Sequence, residues 1–307
     1  MKSTAPTLAR PLKTRKYRKR DYSAFIYLAP WLIGFLALQL YPFVISLVYS
    51  FTDYKIGRPI GFVGLKNYID LFTIDPDFLN SLKVTLLYAV ITVPGKIILA
   101  LLIALLCQKA TKAMGLVRVL YYIPSLFSGS VAVALLWKIM FMDNGVINSM
   151  LVRIGGSPVS WLGDTHMSIV TICMLEVWQF GSSMVMILAA LKQVPASLYE
   201  AAAIDGAGKV RSFFSITLPQ ITPIIFFNII MQTITALQNY TSPAIVTNGG
   251  PMKSTYVLGM KIYNEGFSYF KMGYACSVSW VMFLIIMVIT LLLFRSSSAW
   301  VFYSDEK

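Results

Sequence analysis

LKVTLLYAVITVPGKIILALLIALLC, residues 82–107, carries only two charges, Lys83 and Lys96. A bilayer's hydrocarbon core is crossed by about 20 apolar residues in a helix. A soluble domain would instead show its apolar residues as short periodic stripes. This stretch therefore reads as a membrane span, and it sets the class of the whole fold. Five more runs of the same kind extend on either side of it, approximately Tyr22 to Phe51, Val119 to Phe141, Met167 to Leu191, Thr222 to Ile245 and Met272 to Phe294. The composition agrees: 57% of residues are hydrophobic and 13% charged, against roughly 25% charged in ordinary soluble domains. The expected fold is an all-α integral membrane protein with about six transmembrane helices.

Six spans put both termini on one side, and the basic residues indicate which side that is. Eight of them (Lys2, Arg10, Lys13, Arg15, Lys16, Arg18, Lys19 and Arg20) lie in a tail covering residues 1–21. Lys109, Lys112 and Arg118, then Lys192, Lys209 and Arg211, then Arg295 and Lys307 fall on the same side. Only nine lie opposite, and Lys96 sits within the second span. Both termini are expected in the cytoplasm, with the chain multi-pass in the membrane. The formal charge of +13 then reflects attraction to anionic lipid rather than nucleic acid. The first span is too long for a secretory h-region of roughly 7 to 15 residues, so it is expected to stay on the mature chain. Residues 22–307 read as a single membrane domain, because the moderately long, turn-rich loops on the outer side read as short ordered caps or surface helices rather than a separate domain. Cys107, Cys173 and Cys276 lack metal-ligand spacing, and there is one histidine, His166. Neither a metal site nor a haem is expected.

Between the fourth and fifth spans lies VPASLYEAAAIDGAGKVRSFFSITLPQITP, residues 194–223. Pro195 can open a helix, Ala196 to Ile204 is rich in helix formers, and Asp205-Gly206 supplies a stop. Three consecutive alanines, Ala201 to Ala203, leave room for another protein to approach, and Glu200 offers it a charge. Local physics alone allows two readings, a docking element or an amphipathic turn resting at the membrane interface.

Glu200-Ala201-Ala202, then Gly206, then Ile216 and Leu218-Pro219 resemble, in their full spacing, the EAA signature of ABC importer permeases. Phe62-Val63-Gly64-Leu65-Lys66-Asn67-Tyr68, Leu188-Ala189-Ala190-Leu191, Thr247-Asn248-Gly249-Gly250-Pro251 and Gly273-Tyr274-Ala275 are similar to the carbohydrate branch, the maltose and glycerol-phosphate types. The resemblance implies a cytoplasmic coupling helix between spans four and five, with Glu200, Ala201, Ala202, Asp205, Gly206 and Pro219 engaging an ATPase. It further implies a transport subunit rather than an enzyme, forming half of the path for a sugar, an oligosaccharide by preference. The implied partners are a second homologous permease, an ATPase dimer and an extracytoplasmic sugar-binding protein, in addition to membrane lipid. This sequence has no Gly-x-x-x-x-Gly-Lys-Ser/Thr run, so no cofactor is expected on it, and ATP and Mg belong on the ATPase subunits.

Lys96 and Glu176 are unusual charges for spans two and four, and intramembrane ionisable groups are functional candidates because their burial is costly. They could pair with each other, or Glu176 could line the translocation path. Trp178, Gln179, Asn228, Gln232, Gln238, Asn239 and Tyr240 add amides and rings suited to sugar hydroxyls and faces. Polar contacts between spans are the competing use of each. The resemblance to maltose-type permeases selects Glu176, Gln179, Gln232, Gln238 and Asn239 as the substrate path. The rival functions are a permease for a polyol phosphate, amino acid or peptide, a secondary transporter, and a polytopic membrane enzyme. The enzyme would require a cluster of acids, histidines or metal ligands near a membrane face.

Overall fold

A computed structural model describes residues 23–108 and 111–302. The basic tail expected at residues 1–21 lies outside the described residues, as do Lys109 and Lys307. Among the described residues the only β pairing is one isolated bridge, Thr52 to Phe62, so the expected all-helical class holds. Four helices are long and apolar enough to cross a membrane, and two bent pairs bring the number to six if each pair is one span.

The residues up to Ser46 and those from Leu47 onward form separate compact units. The described part of the first unit belongs to helix α1, which comprises Ser23–Phe35, a π-helical turn Leu36–Leu40 and Tyr41–Ser50. No residue of its most apolar window is buried.

The second unit is organised around α3 (Pro76–Leu106), which follows the short α2 (Lys66–Thr73). Pro76 opens α3, where its missing N–H costs nothing, and the Asp75 side chain caps it by accepting from the N–H groups of Asp77 and Phe78 at 2.9 and 3.2 Å. A stripe along α3, Ser81, Thr85, Tyr88, Thr92 and Lys96, is buried. Its hydroxyls return to the backbone one turn back, as in Thr85 to Ser81 O and Thr92 to Tyr88 O, both at 2.7 Å. Those bonds satisfy polar groups that have no water to turn to.

Next come α4 (Lys112–Leu126), α5 (Val131–Met140), α6 (Val146–Arg153), α7 (Thr165–Trp178) and α8 (Gly181–Gln193). The short α9 (Ala196–Ile204) leads to α10, a continuous run Lys209–Leu237 whose residues Phe213–Thr217 are π-helical. The chain ends with α11 (Thr241–Val246), α12 (Leu258–Tyr263) and α13 (Met272–Ser297). Helices α7, α8 and α10 pack around α3, and α13 packs on α10 and α12.

Three spans differ from the sequence expectation. The third, read as one run from Val119 to Phe141, is α4 and α5 bent by 102°, because Gly129 takes a positive φ of 73° within the intervening turn. The fourth is α7 and α8 bent by 44° at Gln179-Phe180. The fifth starts at Lys209 and ends at Leu237, with α11 separate.

The bend in the fourth span lets α8 lean against α4. A Cβ on Gly181 would lie 2.4 Å from the Tyr121 carbonyl oxygen and 2.7 Å from Tyr122 Cα. Both are backbone atoms that cannot rotate away. Gly181→Val is therefore expected to destabilise the protein by about 1–3 kcal/mol, the range for overpacking a tight contact, and to lower the yield of monodisperse protein in detergent; unchanged thermal unfolding would contradict this close approach.

At the end of α3 marked by Asp75, one carboxylate ties three elements together. It pairs with Lys261 at 2.5 Å and accepts the Tyr274 hydroxyl at 2.5 Å. Burial pushes the Asp75 carboxyl up, but the Lys261 and Tyr274 hydrogen bonds, the Lys261 charge and the Asp77 N–H outweigh it, and the group titrates below its usual range. A depressed folded pKa adds stability above the unfolded value, about 3.9 for Asp, and loses it as pH falls through the folded value. Unfolding temperature should thus drop on acidification below about pH 4, and Asp75→Asn should flatten that drop. A variant with the wild-type slope would remove the clasp from the explanation.

Candidate functional site

Glu176 lies in the last turn of α7, three residues before Gln179 at the bend, and is 7% exposed. Lys96, 4% exposed, reaches it from α3, with Nζ 2.9 Å from Glu176 Oε1. The Tyr88 hydroxyl, two turns nearer the α3 N-terminus, donates to Glu176 Oε2 at 3.3 Å. Asn239, just past the end of α10, donates through Nδ2 to the Tyr88 oxygen and to Glu176 Oε2, the latter at 3.4 Å. Three donors, two from α3 and one from the end of α10, converge on one carboxylate of α7, and the lysine balances its charge. In a medium of low polarity such an arrangement is stable only when its members are mutually satisfied.

The other expected path residues are distributed around this centre. Gln179, at the bend itself, is 3% exposed, and its Oε1 has no hydrogen-bond partner among the described residues. Gln232 on α10 donates to Ser183 Oγ on α8 at 3.2 Å, so its amide joins two helices. Gln238 is exposed. Asn228 donates to Ile224 O at 2.8 Å along its own helix. Trp178 is 41% exposed and lies against Trp137, ring centroids 5.6 Å apart. Glu176 and Asn239 are thus joined with Lys96, whereas Gln232 and Gln238 are not part of that cluster.

Tyr88 was missed in the sequence, where it is one of 17 tyrosines. The signal that could have found it is the helical spacing of Ser81, Thr85, Tyr88, Thr92 and Lys96, a polar stripe inside an otherwise apolar run. Among the described residues no group of three or more His, Cys, Asp or Glu side chains is placed to hold a metal ion.

The loop residues form a separate surface. Helix α9 covers the alanine-rich stretch as expected, and none of its residues is buried. Glu200, Ala201 and Asp205 are exposed and Ala202 is half-buried. Gly206 adopts a φ of +74°, where a side chain would be strained. It closes α9 with its N–H bonded to Ala203 O at 3.1 Å. Pro219 sits ten residues beyond Lys209 in α10, half-buried, at the second position after the π-helical turn.

A bundle of membrane-crossing helices with a buried, charge-balanced polar centre and an exposed helix in one connecting loop defines a polytopic membrane transport protein. The chain belongs to the family described as binding-protein-dependent transport system inner membrane component, which its residues 78–302 match. It is thus a transport component of the expected kind, a membrane-spanning permease of the ABC class, and not an enzyme. It is 42% identical to the probable ABC transporter permease protein YesP of Bacillus subtilis (strain 168), over 96% of each chain. Its identity to the lactose transport system permease protein LacF of Rhizobium radiobacter is 35%, covering 91% of this chain and 95% of that one. A solved structure of a bacterial alginate ABC transporter, in complex with an alginate pentasaccharide-bound periplasmic protein, shares the fold with a TM-score of 0.77. At 24% identity it covers 91% of this chain and 95% of that one.

Proposed function

We propose that this chain forms half of the translocation path of an ATP-driven importer for a sugar, an oligosaccharide by preference. The observation that carries the reading is the centre at Glu176, where a carboxylate, an amide and a phenol from three elements meet. Such groups suit hydroxyls and apolar ring faces. The relative named for lactose transport supports the sugar class. In this reading Glu176, Gln179, Gln232, Gln238 and Asn239 contact the passing solute, Glu176 and Asn239 foremost.

A second permease completes the path, and an extracytoplasmic sugar-binding protein delivers the solute, in keeping with the family's description. A dimer of ATPase subunits carries ATP and Mg. Helix α9 docks on one of them through Glu200, Ala201 and Ala202, with Asp205 and Gly206 shaping its end and Pro219 supporting the coupling from within the following span. Closure of the ATPases on ATP then moves α9 and switches the path from inward-facing to outward-facing. Both termini lie in the cytoplasm, and residues 22–307 act as one membrane domain behind a basic tail that meets anionic lipid.

Purification of the tagged chain from its native membrane in mild detergent, with mass spectrometry of what stays bound, is expected to recover a second permease and an ATPase. A chain that emerges alone or self-associated, even after gentle crosslinking, would overturn the partnership and with it the role of α9.

A further inference from the structure

Helix α9 is held loosely. It buries none of its residues. At its C-terminal end it joins α10 through Asp205 to Gly208, with glycines at 206 and 208. That turn is closed by backbone bonds such as Ala207 N–H to Ala202 O at 2.8 Å, and the Ser212 hydroxyl from the start of α10 adds one to Gly208 O at 3.1 Å. A push on a nine-residue helix hinged at a glycine turn would be spent in rotating the hinge, since Gly opposes such rotation least of all residues.

One side chain crosses the gap. The Tyr199 hydroxyl lies 2.8 Å from Thr217 Oγ1, and among the described residues this is the only side-chain hydrogen bond from α9 to a membrane-crossing helix. Thr217 is 5% exposed and is the last residue of the π-helical turn Phe213–Thr217. A π turn loosens the regular helical ladder and often marks a functional position. The tyrosine therefore grips α10 just where its ladder regains α-helical form. Helix α9, the Asp205–Gly208 turn and the first turns of α10 close into a braced triangle.

We propose that Tyr199 and Thr217 are positioning residues, forming a strut that makes α9 and the fifth span one lever, so that displacement of α9 passes into the membrane. This rests on the coupling role proposed for α9. The test uses the intact importer with its copurified partners and needs no transported solute. Spin labels on Ala203→Cys in α9 and Phe227→Cys in α10, both exposed, report the distance between the two helices before and after trapping with ATP and vanadate.

With the strut in place, the distance between the labels is expected to stay constant on trapping. Tyr199→Phe and Thr217→Val remove the bond with little change of shape and are expected to shift and broaden the distance on trapping while ATP hydrolysis continues. Thr217→Ser keeps the hydroxyl and should behave as wild type. A wild-type distance that already changes on trapping, or a Tyr199→Phe distance as constant as wild type, would overturn the strut. Failure of the underlying coupling role is visible separately, as an importer that keeps wild-type uptake after Glu200→Lys.

Discussion

Glu176→Gln is expected to cost about 3–5 kcal/mol of stability and to abolish uptake. The stability loss follows from stranding Lys96: with the lysine 4% exposed and its counter-charge removed, an uncompensated ammonium remains in the interior, the situation in which broken buried pairs cost that much. The paired variant Lys96→Met with Glu176→Gln should recover most of the loss, since replacing both members of a buried pair removes the desolvation cost along with the attraction. Unfolding temperature in detergent reads the first effect, and uptake by cells producing the variants reads the second. If the double variant is stable yet does not transport, Glu176 touches the solute. If it is stable and transports normally, the pair serves only to join α3 to α7, and the substrate path lies elsewhere.

Glu200→Lys and Gly206→Pro should each abolish uptake while the protein still inserts and accumulates in the membrane. For Glu200 the reason is exposure: no residue of α9 is buried, so reversing the charge disturbs no core and acts on whatever docks there. For Gly206 it is backbone geometry. Its φ of +74° is closed to proline, whose ring holds φ near −65°. The Gly206 N–H bonded to Ala203 O is lost as well. A coupling energy of about 1–3 kcal/mol between distant sites is typical, so loss of the contact should lower uptake by about fivefold at the least. Normal uptake in both variants, measured at equal membrane abundance, would remove α9 from the coupling role.

The spans were legible because the bilayer imposes a length and an absence of charge that can be counted along the chain. Residues 82–106 fall inside α3 on that basis, with Cys107 capping its end, and Met272 to Phe294 inside α13. Helix α9 was equally legible, since Pro195 and the Asp205-Gly206 stop are local signals and the structure places the helix between them. The bends at 127–130 and at Gln179-Phe180 were not, because hydropathy summed over a window records composition and not direction. The bend in the fourth span goes with a close approach to a different element, the Tyr121 carbonyl beside Gly181.

The candidate centre divides in the same way. Lys96 and Glu176 stood out as charges in apolar runs, yet the sequence left open whether they meet. Residues 80 positions apart come within hydrogen-bonding distance only through the packing of α7 on α3. Asn239 was one of five expected path residues and Tyr88 was not among them; that packing placed both on the same carboxylate. Alone, the sequence determined that this chain crosses a membrane and carries an exposed helix between its fourth and fifth spans, because both follow from local composition and turn chemistry. Which polar side chains share one buried centre was decided only by the tertiary structure, because in a low-dielectric interior each such group must find its partners across helices rather than along them.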